Sequence, residues 1–180
     1  MLEVPIRTML FVPGHRESWI QNARSSGADA LVLDLEDSVP QGQKAVAREI
    51  VARQIDKHSA QDGRLYVRIN RGKYLHDIKD ITAVAKPGIA GLFVPMVGGL
   101  GDIEFLSSIL SELEYKQQLM IGTFSLIVAL ETAKSIHLAF EIALCPRVQA
   151  IVACTAKNAD VARSLGFTWS PEGLETLHYR

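Results

Sequence analysis

Ala30-Leu-Val-Leu-Asp-Leu-Glu-Asp-Ser-Val-Pro40 decides how the chain is read. An almost unbroken apolar run ends in Asp34, Glu36 and Asp37, and the turn former Pro40 follows. Leu and Val in so short a run, bounded by polar residues, predict a parallel strand buried on both faces. Acids at the carboxyl end of such a strand lie where α/β folds bind their ligands. The stretch is core at its start and candidate site at its end.

Strand and helix patterns alternate on either side of it. Thr8-Met-Leu-Phe-Val12 predicts a short strand closed by Pro13-Gly14, and a helix runs from Glu17 to Ser25 before Gly27. Downstream, Val46, Ile50, Val51 and Ile55 recur at helical spacing between Lys44 and Ile55. Leu65 to Asn70 is a third strand, and a helix on Ile78, Ile81 and Val84 ends at Pro87-Gly88. Gly91 to Val97 is a fourth strand, followed by a helix from Asp102 to Tyr115. Phe124 to Leu130 and Val148 to Ala153 are the fifth and sixth strands, with a helix from Ala133 to Leu144 between them. Asp160 to Leu165 predicts a short helix, and Ser170-Pro-Glu-Gly173 reads as an N-cap with proline at the first helical position.

Six βα units without a composition break predict one α/β domain over residues 1–180 with a parallel sheet. An open doubly wound sheet and a (β/α) barrel share this rhythm; a complete barrel has eight units. No Gly-x-Gly-x-x-Gly follows the first strand and there is no Walker A motif, which leaves nucleotide binding of those kinds unsupported. Val97-Gly-Gly-Leu-Gly101 reads as a strand-to-helix loop, with a phosphate cradle at the helix start as the alternative.

Composition narrows the class. With 180 residues, 48% of them hydrophobic, the chain is long enough to bury a core. A net charge of −1 gives no electrostatic reason for nucleic acid or an anionic membrane as partner. The start Met1-Leu-Glu-Val-Pro-Ile-Arg7 lacks signal-peptide character, and no apolar stretch approaches the ~20 residues of a membrane span. Cys145 and Cys154 border apolar segments and are expected to be buried thiols. A cytoplasmic enzyme is the expectation.

The residues that end the strands carry the chemistry. Strand two ends in Glu36 and Asp37, strand three in Arg68 and Asn70, strand five in Glu131, and the loop after strand six leads to Asp160. Parallel strands share one carboxyl edge, where these side chains can converge. Two carboxylates from separate strands can hold a hard ion such as Mg2+, and an arginine can bind a carboxylate or stabilise an enolate oxygen. The structural alternatives are helix capping for Glu36 or Asp37 and an ion pair between Arg68 and either acid. Glu131 follows an apolar run directly, and a buried carboxylate requires a partner.

Five ordered blocks then point to a family. Arg7-Thr-Met-Leu-Phe-Val-Pro-Gly14, Gly27 to Val39, Val67-Arg-Ile-Asn70, Ala129-Leu-Glu-Thr132 and Ser170-Pro-Glu-Gly173 span nearly the whole chain. Together they resemble the citrate lyase β subunit and malyl-CoA lyase-like family of the HpcH/HpaI aldolase–citrate lyase superfamily. The resemblance implies a TIM-barrel-type (β/α) fold and a Mg2+-dependent lyase. Such an enzyme cleaves a 3-hydroxyacyl-CoA of citramalyl, malyl or citryl type to acetyl-CoA and a 2-oxo acid. It implies Arg68 as the substrate-binding arginine near the thioester and Glu131 as a metal ligand that also meets substrate. Asp160 is implied as the second metal ligand, and Glu36 and Asp37 as the acidic pair that orients Arg68 or metal-bound water.

The chain departs from the family pattern at three places. Pro95-Met96 stands where the family has Pro-Lys, and Lys157-Asn-Ala-Asp160 where it has Gly-x-Glu-Asp. The sequence ends at Arg180, about two βα units before the family's barrel closes and before a C-terminal acidic segment. Exposed strand edges would favour association, a homotrimer being the expected homo-oligomer. The alternative implied function is a short, catalytically weak relative that binds CoA esters or serves as a partner subunit.

Overall fold

The computed structural model describes residues 5–57, 64–153 and 159–166. Six strands form one sheet: β1 (Met9–Pro13), β2 (Ala30–Asp34), β3 (Leu65–Arg68), β4 (Gly91–Val94), β5 (Ser125–Leu130) and β6 (Val148–Ala153). Their spatial order is their sequence order, and every neighbouring pair is parallel. A doubly wound sheet reverses its strand order at a switch point; this one does not. The progression is that of a (β/α) barrel, open between β1 and β6 among the described residues.

Helices α1 (Glu17–Ala23), α2 (Lys44–Asp56), α3 (Ile78–Val84), α4 (Leu100–Lys116), α5 (Ala133–His137), α6 (Ala139–Ala143) and α7 (Asp160–Leu165) occupy the connections. The helix expected over Ala133–Leu144 is divided. Leu138 leaves helical geometry (φ −96°, ψ 18°) while packing against the core, and α6 starts afresh beyond it. Among the described residues no helix is long and apolar enough to cross a membrane. Cys145 is half-buried rather than buried, and Cys154 and the Ser170–Gly173 motif lie outside the described residues.

The period-two alternation of each strand sorts its residues into two clusters. Leu33, Val67, Leu92, Val94, Leu126 and Val128 pack under the helices in the main core, joined by Ile50, Val51, Ile81, Leu106 and Leu110. Ala30, Val32, Tyr66, Phe93, Ile127 and Ala129 form a smaller cluster on the opposite, concave face. The second set fixes the site. Asp34 continues the phase of Ala30 and Val32, Arg68 that of Tyr66, and Glu131 that of Ile127 and Ala129. Three polar residues thus follow apolar ones on the concave face at the carboxyl ends of their strands.

The strands are shorter than the apolar runs suggest. β2 stops at Asp34 because the chain folds back on that side chain: Glu36 N–H donates to Asp34 Oδ1 at 2.8 Å and Ser38 N–H to Oδ2 at 3.1 Å. An aspartate that captures the backbone ahead of it makes a turn in place of a ladder. Gly14 lies against the same corner, donating its N–H to Asp34 O at 2.7 Å. A Cβ there would come within 2.7 Å of that oxygen and 2.8 Å of Val51 Cγ2, so the β1–β2 approach requires glycine.

Candidate functional site

Arg68 anchors one corner of the site. Its Nε and Nη2 each donate to Asp34 at 2.7 Å in a bidentate pair. Nη1 lies 3.1 Å from Glu36 Oε2 and 3.8 Å from Asp37 Oδ2. The guanidinium carbon sits 5.2 Å from the centroid of Phe11, whose ring meets Phe93 edge-on at 5.1 Å. A fork held on two N–H groups and packed beside an aromatic ring cannot swing freely. Asp34 commits two of its five N–H groups, leaving the Nη1 side for Glu36 and an incoming anionic oxygen.

The acids around Arg68 divide by environment. Asp34 is fully buried and accepts from Arg68 Nε and Nη2, from the Glu36 and Ser38 N–H groups, and from the Ser38 hydroxyl. Burial pushes its carboxyl upward, but the Arg68 pair and the Ser38 and Glu36 bonds outweigh that and hold it below the ordinary aspartate range. Glu36, with 17% of its side chain exposed, goes the other way. Burial, with help from the Asp37 and Asp34 charges and against the pull of Arg68, raises it to about 7. Asp37 leaves 74% of its side chain in water.

The resemblance implies Glu36 and Asp37 as the pair that orients Arg68 or metal-bound water, and gives Asp34 no role. The geometry gives the primary grip on Arg68 to Asp34, with Glu36 beside Nη1 and Asp37 at the solvent rim. Alternation was the available signal, because Asp34 shares its phase with the small concave-face residues. Asn70 is structural: its Nδ2 donates to Leu35 O at 2.8 Å and to Asp80 Oδ2 at 2.7 Å. Lys44 also braces the corner, donating to Leu35 O at 2.8 Å and Glu36 O at 2.6 Å.

Glu131 marks the second corner. Its Oε2 accepts the Met96 N–H at 2.8 Å, and Met96 holds a left-handed φ of 52°. That conformation is uncommon outside glycine and aims the amide of the β4–α4 loop at the carboxylate. Arg68 and Glu131 line one cavity of about 610 Å³ with Phe11, Phe93, Ile127 and Val152. Arg7 lines it too, and a few charged groups around an apolar cleft are the usual composition of a small-molecule site.

The Val97–Gly101 loop already holds an anion of its own chain. Gly98 N–H donates to Asp102 Oδ2 at 2.7 Å, and Arg71 Nη1 reaches the same oxygen at 2.6 Å. The phosphate-cradle alternative therefore finds this amide occupied. His76 locks the loop from the other side. Its Nε2 donates to Pro95 O at 2.9 Å and its Nδ1 accepts from Arg71 Nη1 at 3.2 Å. A carbonyl can only accept and a guanidinium can only donate, so the ring is neutral. Burial, the largest influence, holds its pKa low.

Asp160 opens α7 with its side chain 39% exposed, 3.2 Å from Arg163 in the same helix. α7 docks at the Glu131 corner, where Ser164 Oγ accepts the Ala133 N–H at 2.8 Å. Residues 154–158, which precede it, lie outside the described residues. Among the described residues no three His, Cys, Asp or Glu side chains converge on one point that would hold a metal. The donor chemistry still suits a hard divalent cation. Such an ion takes one or two protein carboxylates and fills its other positions with water and substrate oxygens, and Glu131 offers a carboxylate inside the cavity.

A family model described as HpcH/HpaI aldolase/citrate lyase matches residues 7–180. Citrate lyase subunit beta of Leuconostoc mesenteroides subsp. cremoris is 30% identical over 97% of this chain and 57% of its own length. A (3S)-malyl-CoA thioesterase of Cereibacter sphaeroides is 28% identical over 94% of this chain and 55% of its own. The chain thus spans a little over half the length of these curated relatives. Protein CitE of Mycobacterium tuberculosis, solved with magnesium and acetoacetate, superposes with a TM-score of 0.68 at 25% identity, over 90% of this chain and 58% of that one. A further structure of CitE holds magnesium, acetoacetate and coenzyme A, with a TM-score of 0.67 at 25% identity, over 92% of this chain and 54% of that one.

Proposed function

The chain belongs to the HpcH/HpaI aldolase/citrate lyase family, with the TIM-barrel-type architecture of its CitE neighbours, and from that membership we propose a Mg2+-dependent carbon–carbon lyase acting on a 3-hydroxyacyl-CoA. The products are acetyl-CoA and a 2-oxo acid, and citramalyl, malyl and citryl thioesters are the candidate substrates. The observation that carries this reading is the single cavity lined by both Arg68 and Glu131. A fixed cation and a carboxylate lining one apolar cavity support the binding of a single polar-ended molecule there.

Arg68 acts on the thioester end. Cleavage drives an electron pair toward the thioester carbonyl, and the guanidinium stabilises the charge that develops on that oxygen. A preoriented donor of this kind lowers a barrier by about 2.7–4 kcal/mol. The Asp34 fork fixes its direction in advance, so no reorganisation is required as the charge forms. Phe11, Phe93, Ile127 and Val152 exclude water around the developing enolate.

Glu131 and Asp160 act at the other end. They would hold Mg2+, which on binding supplies a Lewis acid for the hydroxyl and carboxylate oxygens of the emerging 2-oxo acid. Met96 N–H fixes one Glu131 oxygen and orients the carboxylate. The magnesium in the CitE complexes supports this assignment, and the single domain and its oligomeric assembly belong to the same proposal.

Glu131→Gln tests the reading directly. It keeps the side chain's size and its contact with Met96 but removes the charge a metal ligand needs. Release of 2-oxo acid from malyl-, citramalyl- and citryl-CoA with Mg2+ should fall at least 100-fold, and added Mg2+ should not restore it. Full activity in the variant would refute the metal assignment. Free CoA appearing with intact hydroxy acid, and without 2-oxo acid, would instead indicate thioester hydrolysis, the activity named for the Cereibacter relatives.

A further inference from the structure

The loop from Pro95 to Gly98 is gripped from two sides. On one, Pro95 O accepts the His76 Nε2–H at 2.9 Å, and Gly98 N–H donates to Asp102 Oδ2 at 2.7 Å. Arg71 ties these two holds together, its Nη1 donating to His76 Nδ1 at 3.2 Å and to Asp102 Oδ2 at 2.6 Å. On the other side, Met96 N–H donates to Glu131 Oε2 at 2.8 Å, and Val97 O accepts the Thr132 hydroxyl at 3.1 Å. Pro95 O and Met96 N–H belong to one peptide group. His76 and Glu131 therefore hold opposite ends of a single rigid plane.

We infer that His76 is a positioning residue for the proposed metal ligand: through the Pro95–Met96 peptide it fixes the direction in which Glu131 is held, an assignment that rests on the lyase reading above. A trans peptide carries its C=O and N–H antiparallel, so turning the plane withdraws both groups together. Met96 sits at φ 52°, which is uncommon for a non-glycine residue, and surrounding contacts must keep the plane there. The bonds from Met96 N–H to Glu131 and from His76 to Pro95 O are such contacts, one on each side. Donation into the carbonyl also polarises the amide, which strengthens Met96 N–H as a donor to the carboxylate.

His76 is itself well fixed. It is buried, with 1% of its surface exposed, and it bridges Arg71 across a tight turn in which Gly72 N–H donates to Leu75 O at 2.8 Å. Arg71, anchored on Asp102, donates to Nδ1 and so selects the tautomer that carries its proton on Nε2, facing Pro95 O. The cavity is lined by Glu131 but not by His76. The ring reaches the site through the peptide, without touching what binds there.

The test measures Mg2+ binding to the full chain by calorimetry in His76→Leu and His76→Gln. His76→Leu keeps the volume but removes the donor to Pro95 O, whereas His76→Gln retains an N–H donor and an acceptor for Arg71. His76→Leu should weaken Mg2+ binding about tenfold or more. Its kcat for 2-oxo acid release should fall with it, while KM for the thioester stays within threefold of wild type. His76→Gln should stay within threefold of wild type in all three. Near-wild-type Mg2+ affinity in His76→Leu would overturn the inference and leave the lyase reading intact. An equal loss in both variants would overturn it too, since the retained donor would then make no difference. Should His76→Leu fail to fold, nitrogen-15 NMR of the wild type decides: the Met96 amide and His76 Nε2–H signals should move with the same Mg2+ midpoint, and a His76 signal that stays still would overturn the inference. A wild-type protein that neither binds Mg2+ nor releases 2-oxo acid would sink the lyase reading itself, and this inference with it.

Discussion

Asp34 and Asp160 are both acids that follow strands of one parallel sheet, at the ends of β2 and beyond β6, and their environments are opposite. Asp34 is wholly buried, and its oxygens take two bonds from Arg68, two from backbone amides and one from the Ser38 hydroxyl. Asp160 keeps 39% of its side chain exposed and pairs with Arg163 one turn along its own helix. A carboxylate offers about four lone-pair positions. Asp34 has filled them and can only be structural support for Arg68, while Asp160 has capacity left for a ligand. Position at a strand's carboxyl end brings an acid to the site; the state of its lone pairs decides what it does there.

Removing Asp34 should produce the largest effect. Asp34→Ala strips Arg68 of its bidentate partner and leaves a largely buried guanidinium with only Glu36 and the solvent-exposed Asp37 beside it. Breaking one side of a buried pair typically costs about 3–5 kcal/mol, and the loop turning on Asp34 loses its anchor as well. Urea unfolding should show a destabilisation of that order together with a collapse of turnover. A change below about 1 kcal/mol would mean that Arg68 is positioned by other contacts and that the contrast with Asp160 is overstated.

Glu36 occupies the middle ground between these two acids, and it makes the contrast pH-dependent. Its folded pKa of about 7 lies above the ordinary glutamate value, so between the two the unfolded chain binds fewer protons than the folded one. Stability contributed by this group is therefore greatest at low pH and falls as pH rises toward 7. At about 1.4 kcal/mol per unit, the decline is of order 3 kcal/mol. Asp34, held below its ordinary range, acts in the opposite sense: its contribution is present above that range and is lost as pH falls through the folded value. Glu36→Gln should remove the decline approaching pH 7 and leave the acid limb of Asp34 in place. Urea midpoints measured from pH 4 to 8 for both proteins would show it; parallel curves would contradict the environment assigned to Glu36.

The sequence carried the sheet well because each strand is a compact apolar run between turn formers. Strand order needed the structure, since an open sheet and a barrel share the same βα rhythm. At the site, Arg68 and Glu131 were legible as polar residues ending apolar strands. The role of Asp34 was recoverable from alternation, because every second residue of Ala30–Asp34 faces the concave side. The chain turns on the Asp34 side chain immediately after β2, so nothing in the pattern told the largely buried Glu36 from the exposed Asp37. The break at Leu138 was hidden as well: a helical apolar spacing persists through it, and only the packing of that side chain divides α5 from α6.

The smallest effect on folding is expected at the other pole of the comparison. Asp160→Asn removes a charge whose partner is a solvent-exposed arginine three residues away, and exposed pairs of that kind contribute about 0–1 kcal/mol. Its unfolding free energy in urea should therefore change by no more than about 0.5 kcal/mol. Mg2+ binding followed by calorimetry should weaken at least tenfold, because a hard cation loses one of the few anionic oxygens available to it. A variant that is as stable as wild type and binds Mg2+ as tightly would remove Asp160 from the metal site. A variant that loses stability as Asp34→Ala does would show the opposite fault, an acid whose lone pairs were spent after all. Only the combination of an unchanged fold and a weakened metal supports two acids on one sheet edge that do different work because one is saturated and the other is not.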